Sequence, residues 1–177
     1  MTEQVARPAR DSVEGRDGVD AIVAAWRRER PDLDVGPLEV LSRVSRLSRH
    51  LDIARRAAFE RYDLEAGEFD VLTALRRCGP PYSLSPSRLA SETLVTSGTM
   101  TNRLDRLERD GLVQRTPDPG DRRGVQVRLT TAGRERVDAA LADLLDREHT
   151  ILAGLSSADQ RLLADLLRSL TAPFDSP

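Results

Sequence analysis

Residues Ser97 to Gly133 constrain the fold of this chain more than any other stretch. They read SGTMTNRLDRLERDGLVQRTPDPGDRRGVQVRLTTAG. Met100, Leu104 and Leu107 recur at spacings of four and three, which is one row of a helix. Thr99, Asn102 and Arg106 fall away from that row, so they are free to face a partner. Gly111 supplies a left-handed stop. Two short strands follow, Leu112 to Thr116 and Val125 to Thr130, with Val125, Val127 and Leu129 alternating in the second. The segment between them, PDPGDRRG, is a Pro- and Gly-rich turn that displays Arg122 and Arg123 at its tip. A helix bearing hydroxyl, amide and guanidinium groups can offer Asn and Arg to base edges in a major groove. An Arg-tipped hairpin beside it can enter the narrower, more negative minor groove.

Length and composition bound the rest. The chain has 177 residues, enough for one domain with appendages. No apolar run approaches the roughly 20 residues of a membrane span, so no membrane partner is expected. The early arginines are not followed by the apolar core of a secretion signal. A single cysteine, Cys78, excludes an internal disulfide framework and suits the cytoplasm. All 27 basic residues are arginine, and the net charge is −2. Between Pro86 and Thr130, eight arginines face six acids. A weakly positive reading surface on an acidic body implies modest non-specific affinity for nucleic acid and reliance on groove contacts.

In chain order, Met1 to Asp17 is polar and aperiodic, an expected mobile arm. Gly18 to Arg30 predicts a short amphipathic helix with the stripe Val19, Ile22, Val23 and Trp26, and Pro31 ends it. A helix this short must dock on other parts of the chain, with Trp26 as its main anchor or as the flat wall of a ligand pocket. Pro37 to Tyr62 is a long helix with an apolar face at Leu38, Leu41, Val44, Leu51, Ala54, Ala58 and Phe59. Glu65 to Cys78 is a third, with Phe69, Leu72 and Leu75 buried and Asp70 at the edge of that side. Ser85 and Pro86 open another helix as cap and first residue, and Thr96 or Ser97 caps the one after it. Thr131 to His149 is periodic. A last helix, opened by a capping-box-like Ser156 to Asp159, carries Leu162, Leu163, Leu166, Leu167 and Leu170. That leucine density calls for burial against another surface, most simply a second copy of the chain. His50 and His149 have no ligand-spaced neighbours, and no phosphate loop or serine elbow is present, so neither a metal, a cofactor nor an enzyme activity is expected.

The stretches Ser97 to Glu108, Gly111 to Val113 and Asp118 to Gly133 together resemble the MarR-type winged helix-turn-helix transcriptional regulators. The resemblance runs from about Gly36 to Thr171. It implies a mostly α fold with a small β wing, assembled as a two-fold dimer by N- and C-terminal helices. Residues 1–17 would be the arm and 18–36 an extra N-terminal helix and linker. Residues 37–63 and 131–172 would form the dimerisation helices, and 64–130 the winged helix-turn-helix. Double-stranded DNA would meet Ser97, Thr99, Asn102 and Arg106 in the major groove. Arg123 would enter the minor groove, held by Asp121, while Arg122 meets phosphate. The two reading helices of a dimer would fall about one DNA turn apart, on an inverted repeat.

The chain is similar, further, to the urate-responsive subgroup of that family. The resemblance rests on the extra helix with Trp26, on Asp70, on Arg103 and on Arg115. It implies that a small, flat, anionic effector, urate or xanthine, stacks on Trp26 and pairs with Arg115. Its charge displaces Asp70, which draws Arg103 and tilts the reading helix. Two other readings stay open: the same fold sensing a phenolic or other aromatic anion, and a winged-helix protein-interaction module without DNA binding.

Overall fold

The computed structural model describes residues 15–118, 120 and 124–174. The chain divides into two compact units, residues 1–50 and 51–177.

The first unit holds α1 (Gly18–Glu29) and the opening half of α2 (Gly36–Glu60). Asp17 is a helix cap, its side chain accepting from the Val19 and Asp20 amides while the Asp20 side chain accepts from its own. It also receives two hydrogen bonds from Arg43, both at 3.0 Å, so the expected arm is anchored at its last residue. The small core here is Val19, Val23 and Val35, with Leu38 against it. Trp26 is therefore not the anchor of α1. Val19 and Val23 form the buried row, and Trp26 on its flank stays 48% exposed.

The second unit begins within α2 and continues through α3 (Ala66–Arg77), β1 (Ser83–Leu84), α4 (Pro86–Glu92), α5 (Ser97–Arg109), β2 (Val113–Pro117), β3 (Val125–Leu129), α6 (Thr131–Leu152) and α7 (Ser157–Thr171). Its core gathers Leu72 and Leu75 of α3, Leu89 of α4, Met100, Leu104 and Leu107 of α5, Val127 of β3 and Val137 of α6. The three strands form an antiparallel sheet in the order β1-β3-β2, with Gln114 opposite Arg128 and Arg115 opposite Val127. β1 is an addition to the sequence expectation, since two residues are too few to show alternation. The α6 start is fixed by close approach. A side chain on Gly133 would run into the Leu112 carbonyl, and Thr130 caps the helix by accepting from the Gly133 amide at 2.9 Å. Arg76 of α3 grips Asp138 of α6 through two hydrogen bonds, at 2.8 and 3.1 Å.

Much apolar surface is left open. Of the long α2 helix only Ala58 and Phe59 are buried, while Leu41, Val44 and Ile53 are exposed. α7 buries no residue at all; Leu162, Leu166 and Leu170 are exposed.

Candidate nucleic-acid interface and effector site

α5 is a capped amphipathic helix with one polar face open to solvent. Thr96 is its cap and accepts from the Thr99 amide at 3.3 Å. Gly111, at φ +70°, turns the chain into β2. With Met100, Leu104 and Leu107 buried, the opposite side presents Ser97, Thr99 and Asn102 to solvent. The Thr99 hydroxyl lies 3.0 Å from that of Thr96, and the Ser97 carbonyl accepts from the Thr101 hydroxyl at 3.0 Å. The base of the wing turn is held by Asp118: its amide donates to the Gly124 carbonyl at 3.0 Å, and its carboxylate accepts from Gln126 at 2.6 Å. The tip residues Asp121, Arg122 and Arg123 lie outside the described residues.

Arg106 departs from the expectation that it stands free. Its Nη1 donates to Glu65 Oε1 at 2.7 Å, and its Nε lies 3.0 Å from Glu68 Oε1. The Glu65 hydrogen bond and the Glu68 charge raise the guanidinium pKa above its ordinary value. Glu68 is 2% exposed, the one buried charged residue of the described core. Neither glutamate stands out in the sequence as a partner for the reading helix. The available signal is a Glu-x-x-Glu step before an apolar run, a helix-start pattern in which Glu68 Oε2 accepts from the Glu65 amide at 2.8 Å.

The four expected effector residues are distributed as follows. Trp26 lies in the first unit; Asp70, Arg103 and Arg115 lie in the second. Arg103 points inward, as its place on the helical wheel implies. Its guanidinium lies directly over Gly67 of α3, where any side chain would collide with it. Its Nη1 is buried without a hydrogen-bond partner. Asp70 is exposed, one helical turn beyond Gly67 on α3, and its carboxylate pairs with no cation among the described residues. It borders two shallow clefts: one of about 250 Å³ with Thr73, Arg77 and Glu92, and one of about 340 Å³ with Arg55, Phe69 and Leu141. Arg115 is not open to a ligand as it stands. It reaches across from β2 to α5, donating to Glu108 Oε2 and Asp105 Oδ1, both at 2.7 Å, while its amide donates to Glu108 at 2.8 Å. Burial pulls its pKa down, the two carboxylates pull it up, and the net shift is upward. β2 is thus strapped to the reading helix.

α3, α4, α5 and β2 fall within the region that matches a known protein family. The profile described as MarR family matches residues 62–124. Over 149 residues the chain is 42% identical to the HTH-type transcriptional regulator PecS of Dickeya dadantii, covering 84% of this chain and 90% of that one. The chain belongs to the MarR family. A solved MarR-family regulator, Sco5413 of Streptomyces coelicolor, superposes with a TM-score of 0.65 at 26% identity, covering 79% of this chain and 96% of its own. BpsR of Bordetella bronchiseptica, whose DNA binding is described as regulated by 6-hydroxynicotinic acid, superposes with a TM-score of 0.57 at 28% identity, covering 73% and 98%. Within the MarR fold of this chain, α4 and α5 are the helix-turn-helix, β2 and β3 the wing. Two arginines of α5, Arg103 and Arg106, both dock on the first turn of α3. Among the described residues no helix is long and apolar enough to cross a membrane.

Proposed function

We propose that this transcriptional regulator is a dimeric repressor, released from an inverted-repeat operator by a planar anionic heterocycle such as urate or xanthine. The observation that carries the DNA half is the solvent-facing row Ser97, Thr99 and Asn102, backed by the buried Met100–Leu104–Leu107 row and flanked by the β2–β3 wing. These side chains hydrogen-bond base edges in the major groove. Arg123 enters the minor groove, with Asp121 holding it and Arg122 on phosphate. The dimer is supported by the leucines of α7, none of which is buried within the chain. A second copy covers them and sets the two reading helices one DNA turn apart.

The effector half rests on one unsatisfied polar group beside α3 and a solvated carboxylate near it. A buried guanidinium nitrogen without a partner, on Arg103, docks one helical turn from an unpaired carboxylate, on Asp70. Leaving the Arg103 nitrogen buried and unmet costs free energy, whereas Asp70 is solvated, so a ligand that moves Asp70 toward Arg103 gives that nitrogen a partner. A monoanion near Arg115 competes with Asp105 and Glu108 for the guanidinium fork and loosens the strap on the reading helix. The Asp70→Asn variant tests the relay. It retains operator binding and loses release by urate; release as ready as in the wild-type protein sinks the relay. The neighbouring reading, an aromatic carboxylate as effector, draws on the likeness to BpsR. Salicylate releasing DNA where urate does not would favour it.

A further inference from the structure

The first turn of α3 holds a contact that the effector relay leaves unused. Thr99, Asn102 and Arg106 follow one another along the outward side of α5, so Arg106 is the cation of the reading row. Yet its guanidinium folds back onto Glu65 at 2.7 Å and Glu68 at 3.0 Å. The two carboxylates differ in setting: the Glu65 side chain is 66% exposed and that of Glu68 3%. Glu68 is fixed from its other oxygen by the Glu65 amide, and its Oε1 has no hydrogen-bond partner, only the ionic contact with Arg106. Asp110 adds to the negative field around the guanidinium. Without DNA, the cation that the reading helix would carry into the groove is therefore neutralised by its own chain.

We infer that Glu65 and Glu68 compete with DNA for Arg106, so that the first turn of α3 sets how much of this arginine's binding reaches the operator. The inference rests on the reading that α5 enters the major groove. Arg106 is 45% exposed on a long, rotatable stem, and its bond to Glu65 lies in water, where such a pair holds weakly. A guanine edge or a phosphate between neighbouring phosphates offers a stronger field and a matching fork. When Arg106 leaves, Glu68 stays behind as a buried carboxylate with no cation, and that cost is subtracted from the affinity. Glu65 and Glu68 are positioning residues: they touch no DNA and act through Arg106.

The test is a double-mutant cycle in the full-length protein, read by fluorescence anisotropy on the DNA upstream of its own gene at fixed salt. Glu65→Gln is the informative change, because it removes charge at an exposed position and keeps an acceptor. Arg106→Ala should weaken binding by about tenfold, as expected for one base-reading arginine. Glu65→Gln should tighten binding about two- to fivefold, the scale of an exposed ion pair. In the Arg106→Ala background the same change should leave affinity unaltered. Equal tightening in both backgrounds would mean only that a negative charge near DNA had been removed, and would overturn the competition. Weaker binding by Glu65→Gln would make the pair a brace for the reading helix, and would overturn the competition as well. If the wild-type protein binds and Arg106→Ala binds equally well, the competition fails while the regulator stands. If the wild-type protein binds no DNA, both fail.

Discussion

A methyl group on Gly67 would stand inside the Arg103 guanidinium, and one on Gly133 would stand inside the Leu112 carbonyl. The two collisions have different consequences. Arg103 meets Gly67 with the far end of a flexible side chain, which can swing away. Gly67→Ala should therefore change stability by less than about 1 kcal/mol in urea unfolding, since the better helix propensity offsets the lost contact. What it should remove is the docking of Arg103 on α3, and with it the urate response. Leu112 is backbone between α5 and β2 and cannot yield, so Gly133→Ala should cost about 1–3 kcal/mol or more by overpacking. A Gly67→Ala protein that still releases DNA normally would separate Arg103 from the relay. Single residues are also what the sequence discloses least well. Arg106 looks free there because its partner Glu65 lies 41 residues away, and no local period reports a contact of that range. Trp26 looks like an anchor because a helical wheel shows an apolar stripe, not which part of it meets a neighbour. Val35 and Leu38 decide that, and they cover Val19 and Val23.

Among the elements, α5 and β3 are the most legible in the sequence. Their signals are local: a cap at Thr96 or Ser97, a 3.6-residue row, a left-handed glycine, an alternating strand. α5 and β3 fall where those signals place them. β1 is invisible because two residues carry no pattern, and it exists only as the partner of β3. α7 is the instructive opposite case. Its leucines ask for a surface, and the described residues cover them only in part: Leu163 and Leu167 are half-buried, while Leu162, Leu166 and Leu170 on its outer row are exposed. A 15-residue amphipathic helix is marginal alone in water. Placing charge on that row, by Leu166→Glu with Leu170→Glu, should convert a dimeric protein to monomer in sedimentation equilibrium at micromolar concentration. A wild-type protein that sediments as a monomer, or a doubly charged variant that stays dimeric, would remove α7 from the assembly.

In the molecule as a whole, the reading surface is clamped from two sides by arginine–carboxylate pairs. Arg106 ties α5 to the start of α3, and Arg115 ties β2 to Asp105 and Glu108 of α5. The pairs with Glu65, Asp105 and Glu108 are partly exposed, so each is exchanged for another anion at modest cost, whereas the contact with the buried Glu68 is costly to give up. On the proposed reading, a clamp of that kind lets the helix respond to a ligand with a coupling of about 1–3 kcal/mol. On that reading DNA acts on Arg106 and the effector on Arg103 and Arg115, all docked on the same few carboxylates and backbone of α3 and α5. The direct measurement is anisotropy of the full-length protein on its upstream DNA, across a salt series, with and without urate and with salicylate as the comparison. We expect binding that weakens steeply with salt and is released by urate but not by salicylate. Binding that urate leaves untouched, or no salt-dependent binding at all, would contradict a urate-released repressor.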